Sequence, residues 1–196
     1  MNLIERAKNI ILSPKSEWDV IATEQTSVQD LYVNYALILV VAAALAEFIG
    51  RAIIGFSVLG THFRTPMGSA LVGFILRIVL TLAGVFILAY IIDALAPSFN
   101  GEKDILSSHK LAVYSSTPAW IGGLFAIIPP LAILGLLFAL YGIYVLYLGV
   151  TPIKKVPSEK AAVYTLVVII ISIVIYWIIG VIVASFMVAG TMKMAL

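Results

Sequence analysis

Cysteine is absent, which excludes disulfides, thiolate catalysis and Cys-based metal sites. There are only 2 histidines, and no carboxylates cluster beside them, so no metal is expected. Charge is scarce as well: 11% of the 196 residues are Asp, Glu, Lys or Arg, against about 25% in an ordinary soluble domain. A compact soluble fold with so few charges could not cover its own surface. The net charge of +2 is too small for a phosphate-binding footprint, so a nucleic-acid partner is not expected. Phosphate-binding loops, HExxH and GxSxG motifs and a Gly-rich dinucleotide fingerprint are all missing. Neither histidine is placed to serve an intramembrane serine nucleophile. A chain without enzymatic activity and without a cofactor is therefore expected. What is abundant is apolar: 62% of residues are hydrophobic and the mean hydropathy is +1.12. The composition points to an all-α, polytopic integral membrane protein.

A transmembrane helix needs about 20 apolar residues, and five crossings fit, at about 32–56, 68–95, 111–128, 131–149 and 161–189. Pro129-Pro130 divides the uncharged stretch from Leu111 to Val150 into two spans, because a double proline costs a helix its backbone hydrogen bonds. The runs are continuous rather than alternating, which favours helices over a membrane barrel. Arg6, Lys8, Lys15, Lys103, Lys110, Lys154, Lys155 and Lys160 fall on one face, and Arg64 and Lys193 on the other. Basic residues collect inside, so a cytoplasmic N-terminus and a periplasmic C-terminus are expected. No signal peptide is expected, since Glu5, Arg6 and Lys8 interrupt the first apolar residues.

Residues 1–31 form a cytoplasmic segment ahead of a transmembrane domain over 32–196. Leu3, Ile4, Ala7, Ile10 and Ile11 follow helical spacing, with Glu5, Arg6 and Lys8 opposite. This predicts an amphipathic helix lying on the membrane surface. Pro14 suits a second helix start, and Trp18 and Ile21 give that helix an apolar face. Leu3, Ile4, Ile10, Ile11 and Trp18 are the candidate face for lipid or for a cytoplasmic protein partner. Thr26 or Ser27 can cap the helix leading into the first span, with Asp30 three residues beyond Ser27.

All but four of the 22 charges lie outside the spans. Glu47, Arg51, Arg77 and Asp93 lie inside, where an unpaired charge costs at least about 2.5–3.5 kcal/mol. They form the candidate intramembrane polar site. Glu47 and Arg51 are four apart on one helix face. Glu47 and Arg77 lie at matching depth on adjacent antiparallel helices, about 13 Å below the outer surface at 1.5 Å per residue. A bracing ion pair and a polar ion path both fit this set. Asp93 is expected to meet the hydroxyls of Tyr114, Ser115, Ser116 and Thr117, or Lys110. Pro118 should kink the third span; with Tyr114, Ser115, Ser116 and Thr117 it forms a second candidate site. Small residues four apart at Ala46–Gly50, Ser69–Gly73 and Gly180–Ala184 suit helix packing or a homo-oligomer. The loop Thr61-His62-Phe63-Arg64 reads as solvated.

The run from Arg6 through Ser13-Pro14-Lys15-Ser16-Glu17-Trp18-Asp19 to Ile21 resembles the start of bacterial members of the Yip domain family. Asp30-Leu31-Tyr32, the segment Lys110 to Pro118, Ile128-Pro129-Pro130-Leu131, and the stretch from Tyr147-Leu148-Gly149 to Lys155-Val156-Pro157 continue the resemblance in order. It covers essentially the whole chain. Eukaryotic relatives bind Rab-type GTPases and act in vesicle traffic and membrane shaping. Here Asp30-Leu31-Tyr32 is followed by Val33-Asn34 rather than Gly-Pro, so Rab binding is not carried over. The resemblance implies a bacterial inner-membrane protein. A scaffold, adaptor or membrane-shaping role, binding lipid, itself or a cytoplasmic partner, is the leading expectation. A transporter or channel for a small ion or solute is the alternative.

Overall fold

A computed structural model describes residues 2–58, 61–174 and 177. Two short helices, α1 (Leu3–Leu12) and α2 (Pro14–Thr23), precede the bundle. The long helix α3 (Val28–Ile54) follows. Ser27 caps it, accepting the Asp30 N–H at 3.0 Å and donating its own hydroxyl to the Asp30 carboxylate at 2.6 Å. Two wider π-helical turns, Tyr32–Ala36 and Ile49–Ile54, interrupt its regular winding. Gly55 ends it at φ 75°, a left-handed conformation that favours glycine.

Residues 56–63 contain a minimal antiparallel hairpin, β1 (Phe56–Val58) with β2 (Thr61–Phe63), where a plain loop is expected from sequence. Helix α4 (Met67–Leu95) continues into a 3-10 turn at Ala96–Phe99. Asp104 then caps α5 (Ile105–Gly123), accepting the N–H groups of Leu106 and Ser107 at 3.2 Å each. Turns at Leu124–Ile127 and Pro129–Ala132 lead to α6 (Ile133–Lys154). A further helix, α7, occupies 158–174.

Among the described residues, three helices are long and apolar enough to cross a membrane: Val28–Ile54, Met67–Phe99 and Pro129–Lys154. The proline pair divides α5 from α6 as expected, but the helix bounds differ. α5 begins at Ile105 and ends at Gly123, because the Asp104 cap starts it early and the turn opens ahead of the prolines. α6 runs on to Lys154, where Lys155 at φ 56° closes it. The fifth expected span is described only to residue 174. The Gly180–Ala184 pair lies outside the described residues.

α5 is the middle of the bundle. Leu111, Ala112 and Val113 are fully buried there, with Val145 and Val150 of α6 and Ile92 of α4. Glycines 135, 142 and 149 recur every seven residues along α6 and face α5. A Cβ on Gly142 would meet the Ser115 carbonyl, and one on Gly149 would meet Leu111 and Trp18. Their bareness lets the two backbones approach closely. Gly50, of the Ala46–Gly50 pair, is filled by the Ala126 carbonyl of the α5–α6 turn, whereas Gly73 has open space around it. The outward faces of α4 and α6 carry exposed Leu71, Val72, Ile75, Val79, Leu136, Leu137 and Leu140. A helix pair apolar outside as well as inside is built for lipid.

The N-terminal helices correct the expected surface face. Ile10 and Trp18 are 1% exposed, because α1 and α2 dock on the ends of α5 and α6. The Trp18 indole Nε1–H donates to the Val145 carbonyl at 2.9 Å, and Tyr141 donates to the Ile11 carbonyl at 2.8 Å. Leu3 and Ile11 are half-buried, and Ile4 alone of the candidate face remains exposed. Arg6, expected on the charged outer face, is buried beside Ala7 and Ile10. Its position faces the bundle, so it must be paired there.

Candidate functional site

The described charges gather in two places. The first is the end of the bundle that carries α1 and α2. Arg6 of α1 bridges Glu17 of α2 and Glu24 beyond it, and its guanidinium lies 5.2 Å from the centre of the Tyr114 ring. Lys110 donates to the carbonyls of Ile21 and Glu24, satisfying the otherwise open C-terminal end of α2. Lys154, with no exposed surface, donates to Asp93 at 3.2 Å and to the Asp104 carbonyl at 2.9 Å. Ser108 donates to the same Asp93 oxygen at 3.1 Å. One carboxylate on α4 thus ties together the start of α5 and the end of α6.

This arrangement corrects the expected partners of Asp93. Lys110 is engaged by α2, and the hydroxyls of Tyr114 to Thr117 lie deeper along α5. Ser115 and Ser116 donate back to the Ala112 carbonyl at 3.2 and 2.8 Å. Thr117 shares a 2.9 Å hydrogen bond with Tyr35 of α3. Pro118 sits inside an α5 that remains helical through it. The second candidate set is therefore spent on helix repair and on one contact between helices. His109 meets the Tyr32 hydroxyl at 3.1 Å and packs edge-on to Tyr32 and Tyr90. Lys154, Ser108, Glu17 and Glu24 carry no sequence signal of their roles; each sits at an ordinary helix end or loop, and only docking gives it a partner.

The second place lies near the hairpin, at the far end of α3. Glu47 pairs with Arg51 at 2.9 Å and reaches Arg77 of α4 at 3.8 Å. The structure brings these three together and leaves Asp93 in the other group. Unlike the first group, this one is open: the side chains of Arg51 and Arg77 are 65% and 59% exposed. They border a cleft of about 740 Å³ between α3, α4 and the α5–α6 hairpin. Its other wall is apolar and small-featured, with Ala119, Pro129, Pro130, Gly135 and Ala139. Thr65 sits at the rim, its N–H donating to the Arg51 carbonyl at 3.0 Å. Gly50 lets the Ala126 carbonyl, whose residue also lines the cleft, come close to α3. An ion pair that engages so little of each guanidinium leaves N–H groups over, and these are anion ligands.

A helical bundle with lipid-facing apolar helices and internally paired charges defines a polytopic membrane protein. The Yip1 domain model matches residues 8–192, and the chain belongs to the Yip1 domain family. It is 26% identical over 151 residues to the inner membrane protein YohC of Escherichia coli K12, covering 75% of this chain and 77% of that one. The same protein from Escherichia coli O6:H1 matches equally. No solved structure matches.

Proposed function

We propose that this protein is a non-enzymatic scaffold or adaptor of a bacterial inner membrane, the location named for its relative YohC. In this reading the five crossings are those expected from the sequence, at about 32–56, 68–95, 111–128, 131–149 and 161–189. The N-terminus and the α1–α2 pair then lie in the cytoplasm, as the basic residues at that end favour. Exposed Ile4 and Leu12 face the headgroups or a partner, while the buried side of α1 and α2 locks them to the bundle.

One observation carries the reading. No buried side-chain nitrogen or oxygen among the described residues lacks a hydrogen-bond partner. The charges at the α1–α2 end work as closed braces, whereas a transport path needs polar groups left over for its cargo. Purified protein in liposomes is expected to pass no Na⁺, K⁺ or H⁺ above empty vesicles. Reporter fusions are expected to place the C-terminus outside; an inside C-terminus would refute five crossings.

The cleft beside Glu47 supports the second reading, a transporter of a small ion or solute. Flux that vanishes in Glu47→Gln or Asp93→Asn, with folding intact, would establish transport and sink the scaffold.

A further inference from the structure

We infer that the Arg51–Arg77 cleft is a binding site for an anionic glycerophospholipid, with its phosphate on the two guanidinium groups and an acyl chain along the wall from Ala119 to Ala139. The inference deepens the scaffold reading and rests on its membrane placement.

Charge balance is the first argument. Glu47 is the only acid among the lining residues, and it faces two arginines. One carboxylate leaves a net positive charge in the cleft. An uncompensated guanidinium beside hydrocarbon is costly, so it is held there by a counter-anion or by reaching the headgroup layer. Depth is the second argument. Arg51 lies three residues before the end of α3, about 5 Å, and Arg77 ten residues into α4, about 15 Å, at 1.5 Å per residue. The headgroup layer is about 5–8 Å deep on each side, so Arg51 lies within it and the long Arg77 side chain reaches toward it from the hydrocarbon side. Donor geometry is the third. Glu47 engages one nitrogen of each arginine, so both guanidinium groups keep further N–H donors at the cleft they line, and a guanidinium fork fits phosphate oxygens bidentately.

Shape completes the argument. The cleft is amphipathic: charged groups and Thr65 stand on one side, and alanine, proline and glycine on the other. Its volume of about 740 Å³ lies in the ordinary range for a ligand pocket. A free inorganic anion would use the arginines and leave the apolar wall bare. A lipid uses both.

The test is native mass spectrometry of detergent-purified protein supplied with phosphatidylglycerol, diacylglycerol or inorganic phosphate. Wild-type protein is expected to retain one phosphatidylglycerol, and retention should fall at least tenfold in Arg51→Gln/Arg77→Gln. Diacylglycerol should not be retained, and millimolar inorganic phosphate should not displace the lipid. Ala139→Phe fills the apolar wall at an exposed position; it leaves the charge intact and should also weaken retention. Equal retention by the double variant, equal retention of diacylglycerol, or full competition by inorganic phosphate would each overturn the inference. Should the double variant not fold, undiminished retention by Ala139→Phe would do so. Liposome flux separates the two proposals: retention with ion flux would sink the scaffold and spare the lipid site, and no flux without retention would do the reverse.

Discussion

The two charged ends of this bundle solve the same problem in opposite ways. At the α1–α2 end, Arg6, Lys110 and Lys154 are buried and each is matched by carboxylates or helix-end carbonyls. At the hairpin end, Glu47 is shared by two largely exposed arginines across a cleft. Buried charges hold only when every partner is in place, so removing one member strands the other. Exposed charges tolerate loss and stay available to a ligand. The closed end is thus the brace, and the open end is where binding can happen.

The comparison can be broken most severely at Lys154. Lys154→Met leaves Asp93 buried without its cation and should cost about 3–5 kcal/mol. Thermal unfolding in detergent checks it, and Asp93→Asn/Lys154→Met together should recover much of the loss. Next comes Gly149→Ala, whose added methyl would collide with Trp18 and Leu111; overpacking should cost about 1–3 kcal/mol in the same melts. At the open end, Arg77→Gln should cost less than Lys154→Met, because its contact with Glu47 is 3.8 Å long and Glu47 keeps Arg51 at 2.9 Å, while still reducing phosphatidylglycerol retention. A loss as large as that of Lys154→Met would erase the distinction between the two ends.

The smallest effect is a pH limb at Asp104. Partial burial disfavours its charge, but hydrogen bonds from the Ser107 hydroxyl and N–H and the Leu106 N–H, with Lys154 nearby, outweigh this and hold the carboxyl below its usual range. Its unfolded value is about 3.9. The stabilisation is therefore complete above that pH and disappears as pH falls through the lower folded value. Acid titration of the melting temperature should show this limb in wild-type protein and lose it in Asp104→Asn.

Legibility from sequence followed distance along the chain. Glu47–Arg51 is readable because four residues make one helical turn, and Glu47–Arg77 because antiparallel neighbours share a depth scale. Asp93–Lys154 was not readable, since 61 residues separate the pair and Lys110 and the hydroxyls from Tyr114 to Thr117 offered nearer partners. Arg6 misled for a different reason. A short helix with apolar and charged faces reads alike whether it lies on lipid or docks on protein; only the acids at positions 17 and 24 make burying its guanidinium possible.

By itself the sequence determined the helical membrane class, the limits of its apolar runs, a helix start at Thr26 or Ser27, the Pro129-Pro130 boundary and the family. These follow from composition, local hydrogen bonding and run length, which need no long-range contacts. Only the tertiary structure decided that α5, the most polar of the long helices, is the centre of the bundle. It likewise decided that glycines 135, 142 and 149 bring α6 against it, and that Arg51 and Arg77 remain open while the buried cations Arg6, Lys110 and Lys154 are closed. Those outcomes depend on which faces meet, and hydrophobic burial has no direction until backbones approach and each polar group must find its partner.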